Sequence, residues 1–206
     1  VRCRPTVLAR PDVADKVVHF TSGATHEEAY GRLRSIVSDC QLNASGDKIR
    51  GNHLCICFSE APLNSLQHGL VNPSAYSRYS PFGVIFEKRW LFEKGGRPVI
   101  YQSDAEYAHL PEDLRWRHMR YEPGTIDFTW EREWRIQCDS LPFAPHETGI
   151  VVPTREWAHR LEADHDSEQN YEVLQYSQIM DELLAEQYPS VPMMDRTPEL
   201  LNLEYR

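Results

Sequence analysis

Ten residues, Asp127 to Ile136, concentrate more chemistry than any other stretch of this chain. In the run DFTWEREWRI, three acidic residues, two arginines and two tryptophans fall within nine positions, and one isoleucine closes it. Alternation predicts a strand over residues 128–138. Phe128, Trp130, Arg132 and Trp134 would point one way, and Thr129, Glu131, Glu133 and Arg135 the other. Glu131 and Glu133 would then stand about 7 Å apart on one face, twice the strand rise. Two carboxylates that close raise each other's pKa, and together they can supply one general base or hold one cation. A plainer reading makes the run an edge strand whose arginines neutralise the carboxylates across the sheet.

The elements that must position these groups are short. KVVHFT (residues 16–21) reads as a strand ending in a histidine and a hydroxyl. Thr25, with Glu28 three residues on, fits a capping box opening a helix over residues 25–40, with Ala29, Leu33, Ile36 and Val37 as its apolar stripe. QLNASGDKIRGN reads as a loop with turn chemistry at Ser45-Gly46-Asp47. HLCICFS (53–59) is a buried strand on which Cys55 and Cys57 are small hydrophobes. Its exit, Ser59-Glu60, also fits a helix N-cap and first-turn acid, with Pro62 early in that helix. A short helix and loop are expected over 64–81, then strands FGVIFEK (82–88) and RPVIYQ (97–102) around a Gly-Gly turn. A polar helix or loop should fill 103–120. A short strand follows at 148–153, and then a helix from Thr154. A further strand and helix are expected over 171–187, before a proline-rich tail.

Bulk properties narrow the class. The chain has 206 residues, 22 basic against 31 acidic, for a net charge of −9. That balance argues against a broad electrostatic grip on a nucleic-acid backbone and leaves room for a local basic groove. Two basic clusters stand out: Arg115, Arg117, His118 and Arg120, and Lys88, Arg89, Lys94 and Arg97. Five cysteines, an odd number without zinc spacing, suggest a reducing, cytoplasmic compartment. The histidines show no paired metal spacing, so no metal site is expected. No apolar run approaches a membrane span and no signal-peptide pattern is present, which predicts a soluble protein. Val1 in place of a methionine suggests a fragment or a processed chain. Neither a dinucleotide-binding nor a P-loop glycine signature is found.

Four features occur in order: His19-Phe20-Thr21 before a helix; ICFSE with Ser59-Glu60 at its exit; the pair FGVIFEK and GGRPVIY; and WEREWRI. Together, over roughly residues 16–137, they resemble the ADP-ribosyltransferase superfamily. The likeness is to its phage-defence and abortive-infection toxin branch and, more remotely, to the DarT-type nucleic-acid-modifying toxins. The resemblance implies an α+β fold: a split of two small, mostly antiparallel sheets, with an early helix and C-terminal helices. It divides the chain into an N-terminal arm (1–15), an ADP-ribosyltransferase-like domain (16–153) and a C-terminal helical extension and tail (154–206).

The resemblance also implies roles. NAD would be the co-substrate. His19 would hold its ribose or phosphates, Thr21 would add a hydroxyl, and Ser59 would line the nicotinamide pocket with Tyr101. Glu133 or Glu131 matches the catalytic glutamate. The E-x-E pattern gives Glu133 the donor ribose and Glu131 the acceptor. A carboxylate suits the first task because positive charge develops at the anomeric carbon as nicotinamide leaves. The acceptor would be a nucleic acid or a protein, an antitoxin is a further implied partner, and no membrane is involved. The family pattern is not matched throughout: a histidine replaces the usual arginine of the first motif, and Ser59-Glu60 replaces a Ser-Thr-Ser triplet. The long interval from Ser59 to Glu131 implies an insertion around 64–81 or 103–125. If the resemblance holds, His19, Ser59, Tyr101 and Glu133 converge on one cleft between two sheets.

Overall fold

The computed structural model describes residues 14–46, 48–60 and 80–164. The expected arm over 1–15 lies almost wholly outside them. The expected helix and loop at 64–81, the elements at 171–187 and the tail lie outside as well, apart from residues 80 and 81. Ten short strands and three α-helices give an α+β architecture among the described residues. Its centre is a six-stranded, antiparallel sheet in the order β10-β4-β1-β3-β8-β5. These strands are β1 (Lys16–Phe20), β3 (Cys55–Ser59), β4 (Gly83–Glu87), β5 (Arg97–Pro98), β8 (Glu133–Gln137) and β10 (Thr148–Val151). Two further pairs stand beside it: β2 (Gln41–Asn43) with β9 (Ser140–Pro142), and the parallel β6 (Ile100–Gln102) with β7 (His118–Arg120).

Among the described residues the sheet has one narrow joint, between β1 and β3. Five residue pairs register β1 on β4, and five register β3 on β8, but only Val18 and Ser59 register β1 on β3. Among these residues, two three-stranded halves therefore meet at a single registered pair. Where β4 begins, the backbone approaches β1 closely. A Cβ on Gly83 would lie 2.5 Å from the His19 carbonyl oxygen, so only glycine fits there.

Residues directly opposite each other in an antiparallel sheet share a face, so the register divides the side chains cleanly. One face carries Val17, Ile56, Phe58, Val84, Phe86, Ile136 and Ile150, all in the main core. Helix α1 (His26–Asp39) covers this face with Ala29, Tyr30 and Leu33. Thr25 caps it by accepting from the Glu28 amide at 3.2 Å, while the Glu28 carboxylate reaches back to the Ala24 amide at 2.9 Å. Cys40, in the left-handed region at φ 47°, ends it. Helix α3 (Arg155–Asp164) joins the same core through Leu161, with Trp157 edge-on to Phe82. The other face carries Ser59, Cys57, Cys55, Glu133 and Arg135. Val18, Phe20 and Ile85 are also buried on this face, and a small cluster of Ile49, Cys55 and Trp116 packs there.

Several expectations need correction. The strand expected over 128–138 begins only at Glu133; Thr129–Glu131 forms a single 3₁₀ turn, and Arg132 takes φ 45°. Alternation therefore does not carry back from Glu133 to Glu131, and the two carboxylates are not neighbours on one strand face. RPVIYQ is two strands in different sheets, because the chain leaves β8 at Val99 and pairs again with β7. The loop expected after α1 starts as β2, a three-residue strand paired with its distant partner β9 and anchored by Leu42 in the main core. Residues 88–93 coil into a short helix, α2. The segment 103–120 comprises two 3₁₀ helices, 104–109 and 112–117, leading into β7.

Candidate functional site

The end of β3 and the start of β8 are cross-braced around Arg132. The Ser59 hydroxyl donates to the Glu131 carbonyl at 2.7 Å, and the Glu60 amide donates to the Arg132 carbonyl at 3.2 Å. Tyr101 closes the other side: its hydroxyl accepts from the Glu133 amide at 3.2 Å and donates to the Phe128 carbonyl at 3.3 Å. A non-glycine residue in the left-handed region costs on the order of 1 kcal/mol or more, and persists where its surroundings fix it. Here four hydrogen bonds do so. Ser59, Tyr101 and Glu133 are thus brought together, with Glu131 on the same turn. Burial pushes the Tyr101 phenol up to about 12, and the negative charges of Glu133 and Glu131 add to the effect.

Glu133 is 5% exposed and Arg135 2% exposed. Arg135 Nε lies 2.7 Å from Glu133 Oε1 and its Nη2 3.3 Å from Oε2, so the pair is bidentate along the strand. The remaining donor, Nη1, goes to the carbonyls of Trp116 and His118 at 3.0 and 2.8 Å. Arg135 therefore also ties the 3₁₀ segment to the sheet. Burial alone would lower the Arg135 pKa; the Glu133 charge and hydrogen bond outweigh it, and the net shift is upward. The neutralisation expected across the sheet is found between Glu133 and Arg135, running along β8 instead. Cys57 adjoins the pair, and its thiol is pushed well up, first by burial and then by the Glu133 charge.

His19 and Thr21 do not join this group. Val18 registers on Ser59, so His19, one residue on, stands on the opposite face. Its ring lies edge-on to Phe58 at 5.8 Å. Its Nδ1 donates to the Cys57 carbonyl at 2.8 Å, which fixes the proton there and leaves Nε2 as the acceptor of the neutral ring. Burial lowers the pKa of His19, partly offset by that hydrogen bond. Thr21 is buried beyond the end of β1, with its hydroxyl 3.0 Å from the Ala29 carbonyl and 3.2 Å from that of Phe82. It anchors the start of α1 on the sheet. The expected convergence of His19, Ser59, Tyr101 and Glu133 on one cleft is therefore not found: His19 stands on the face of the sheet opposite Glu133, and only Ser59, Tyr101 and Glu133 lie together.

A second polar cluster escaped sequence reasoning. Glu60 holds Lys88 Nζ at 3.0 Å through one oxygen and accepts from Trp134 Nε1 at 2.6 Å through the other; Lys88 Nζ also donates to the Ala14 carbonyl at 2.6 Å. Alternation from Ser59 puts Glu60 on the apolar face, where an acid needs such partners. That mismatch was the available signal. No family model, no curated protein and no solved structure matches this chain.

Proposed function

We propose that this chain is an NAD-dependent ADP-ribosyltransferase, acting as a toxin or phage-defence effector on a nucleic-acid or protein acceptor. The ordered motifs support the reading. The observation that carries it is the braced turn at Arg132, where Ser59, Tyr101, Glu131 and Glu133 gather at the mouth of β3 and β8. Backbone held in an unfavourable region collects at sites that must be preorganised. In this reading the bond between nicotinamide and the ribose C1′ breaks, its electron pair leaves on nicotinamide, and the acceptor bonds to C1′ while its proton passes to Glu131. An ionised Glu133, kept charged by Arg135, would stabilise the cationic transition state. Glu131 would orient the acceptor. The resemblance gives His19 and Thr21 cofactor roles, but they lie across the sheet from Glu133 and are not assigned to the site in this reading. The narrow joint between β1 and β3 would correspond to the family's split between two sheets. The setting would be cytoplasmic, with an antitoxin as a further partner. Among the described residues, no helix is long and apolar enough to cross a membrane.

A second reading, a non-catalytic sensor or interaction domain of this fold, is favoured by one observation: Arg135 occupies both Glu133 oxygens in a buried site. Calorimetric titration with NAD, together with nicotinamide release measured with and without single-stranded DNA, RNA and protein acceptors, separates the readings. Release coupled to labelled ADP-ribose incorporation supports the transferase. Release into water alone indicates an NAD glycohydrolase. Neither binding nor release favours the non-catalytic domain.

A further inference from the structure

The two basic clusters seen in the sequence lie about twenty residues apart, and the fold brings one member of each together. Arg97 sits on β5, the edge strand of the sheet, and its Nη1 donates to the carbonyls of Phe92 and Gly96 at 2.9 and 2.7 Å. Arg117, at the end of the second 3₁₀ helix, donates from Nε to the carbonyl of Pro98 at 2.9 Å. Arg97 thus stands on β5 with its guanidinium turned back onto the preceding carbonyls, and the Arg117 guanidinium is fastened to the next residue of that strand, Pro98. The two guanidiniums are close enough that the charge of Arg97 adds to burial in lowering the Arg117 pKa.

Three other members of these clusters have acidic partners, Lys88 with Glu60, Arg89 with Glu93 and Arg120 with Glu122, while Lys94 lies over the Trp90 ring and Arg115, away from β5, donates to the Leu110 carbonyl. Arg97 and Arg117 have only carbonyls, and no carboxylate among the described residues pairs with either. Two like charges held side by side on a partly buried edge repel each other, and an anion between them removes the repulsion. A guanidinium fork is suited to phosphate oxygens. The aromatic surroundings indicate which phosphate. Phe92 lies under Arg97 at 4.0 Å and is 49% exposed, and on the turn before β8, the strand that β5 pairs with, Phe128 and Trp130 are 36% and 39% exposed. Exposed aromatics beside a basic track suit unpaired bases, which stack without regard to sequence.

We propose that Arg97 and Arg117 form a phosphate-binding site at the β5 edge, which takes the backbone of a single-stranded nucleic acid. The site does not depend on the transferase reading, and its failure would leave that reading untouched. A net charge of −9 is compatible with it, because two local contacts give weak, salt-sensitive binding and need no basic surface.

The test is fluorescence anisotropy of a labelled single-stranded oligonucleotide on the full chain across a salt series. R97Q/R117Q should weaken binding about tenfold or more, the scale of losing hydrogen bonds to charged groups. It should also flatten the slope of log K against log salt by about 1.4, about 0.7 for each single-strand phosphate contact. R89Q, which removes an arginine already paired with Glu93, should change neither. Unchanged affinity and slope in R97Q/R117Q, or an equal loss in R89Q, would overturn the site. Binding of pyrophosphate without binding of the strand would overturn the assignment to nucleic acid. Photo-crosslinking on the unmutated chain guards against a misfolded variant: peptides containing Phe92 or Trp130 should carry the oligonucleotide, and crosslinks confined to other peptides would contradict the proposal.

Discussion

The two faces of the central sheet are built from the same strands by opposite means. On one, Val17, Ile56, Phe58, Phe86 and Ile136 meet α1 and α3 in a continuous apolar core. On the other, where β3 meets β8, Ser59, Cys57, Glu133 and Arg135 stand near a small cluster around Trp116, and specific polar pairs hold the strands to their surroundings. Apolar packing tolerates change gradually, because each methylene contributes a fraction of the total. A buried ion pair does not, because removing one partner leaves the other charged and desolvated. The apolar face should therefore respond to substitution in proportion to volume, and the polar face in an all-or-none way.

The largest effect should come from Glu133→Gln. With both groups buried, losing the carboxylate strands the Arg135 charge and should cost about 3–5 kcal/mol by urea unfolding. E133Q/R135M, which removes both charges, should recover much of that loss. A Glu133→Gln variant as stable as the parent would show that water reaches the pair and that the two faces are not so different. On the apolar face, Ile56→Val should cost about 0.5–1.5 kcal/mol in the same measurement, with no partner whose removal rescues it.

A smaller, pH-dependent effect should come from His19. Its folded pKa is below the ordinary value of 6.5, because burial disfavours the imidazolium. Above 6.5 the ring is neutral in both states and costs nothing. As pH falls from there toward the lower folded pKa, the unfolded chain takes up the proton first and stability declines. Thermal unfolding between pH 7.5 and 5 should show this fall, and His19→Gln should make it shallower. An unchanged slope in His19→Gln would remove His19 from the account.

Much of the apolar face was legible in the sequence. The strands at 16–20, 83–87 and 148–151, the helix with its Thr25 cap and the helix following Thr154 stand within a residue or two of expectation. Their periodicity reports which side is buried, and that is a local property. The polar face was harder to read for physical reasons. Arg132 interrupts WEREWRI by turning left-handed, which alternation cannot register, so Glu131 was assigned to a strand that it precedes. The face of His19 relative to Glu133 follows from the pairing of β1 with β3 and β4, long-range registers that the run KVVHFT does not encode. The approach of Arg97 to Arg117 and the pairing of β2 with β9 are long-range events without a local signature.

The central claim, that the carboxylate of Glu133 drives loss of nicotinamide from NAD, is tested most directly by one comparison. Nicotinamide release by the unmutated chain and by Glu133→Gln should be measured at a temperature where circular dichroism shows both to be folded. The account predicts turnover by the unmutated chain and a loss on the order of a hundredfold or more in the variant, the scale of removing one preorganised electrostatic partner. Equal rates in the two proteins would contradict it.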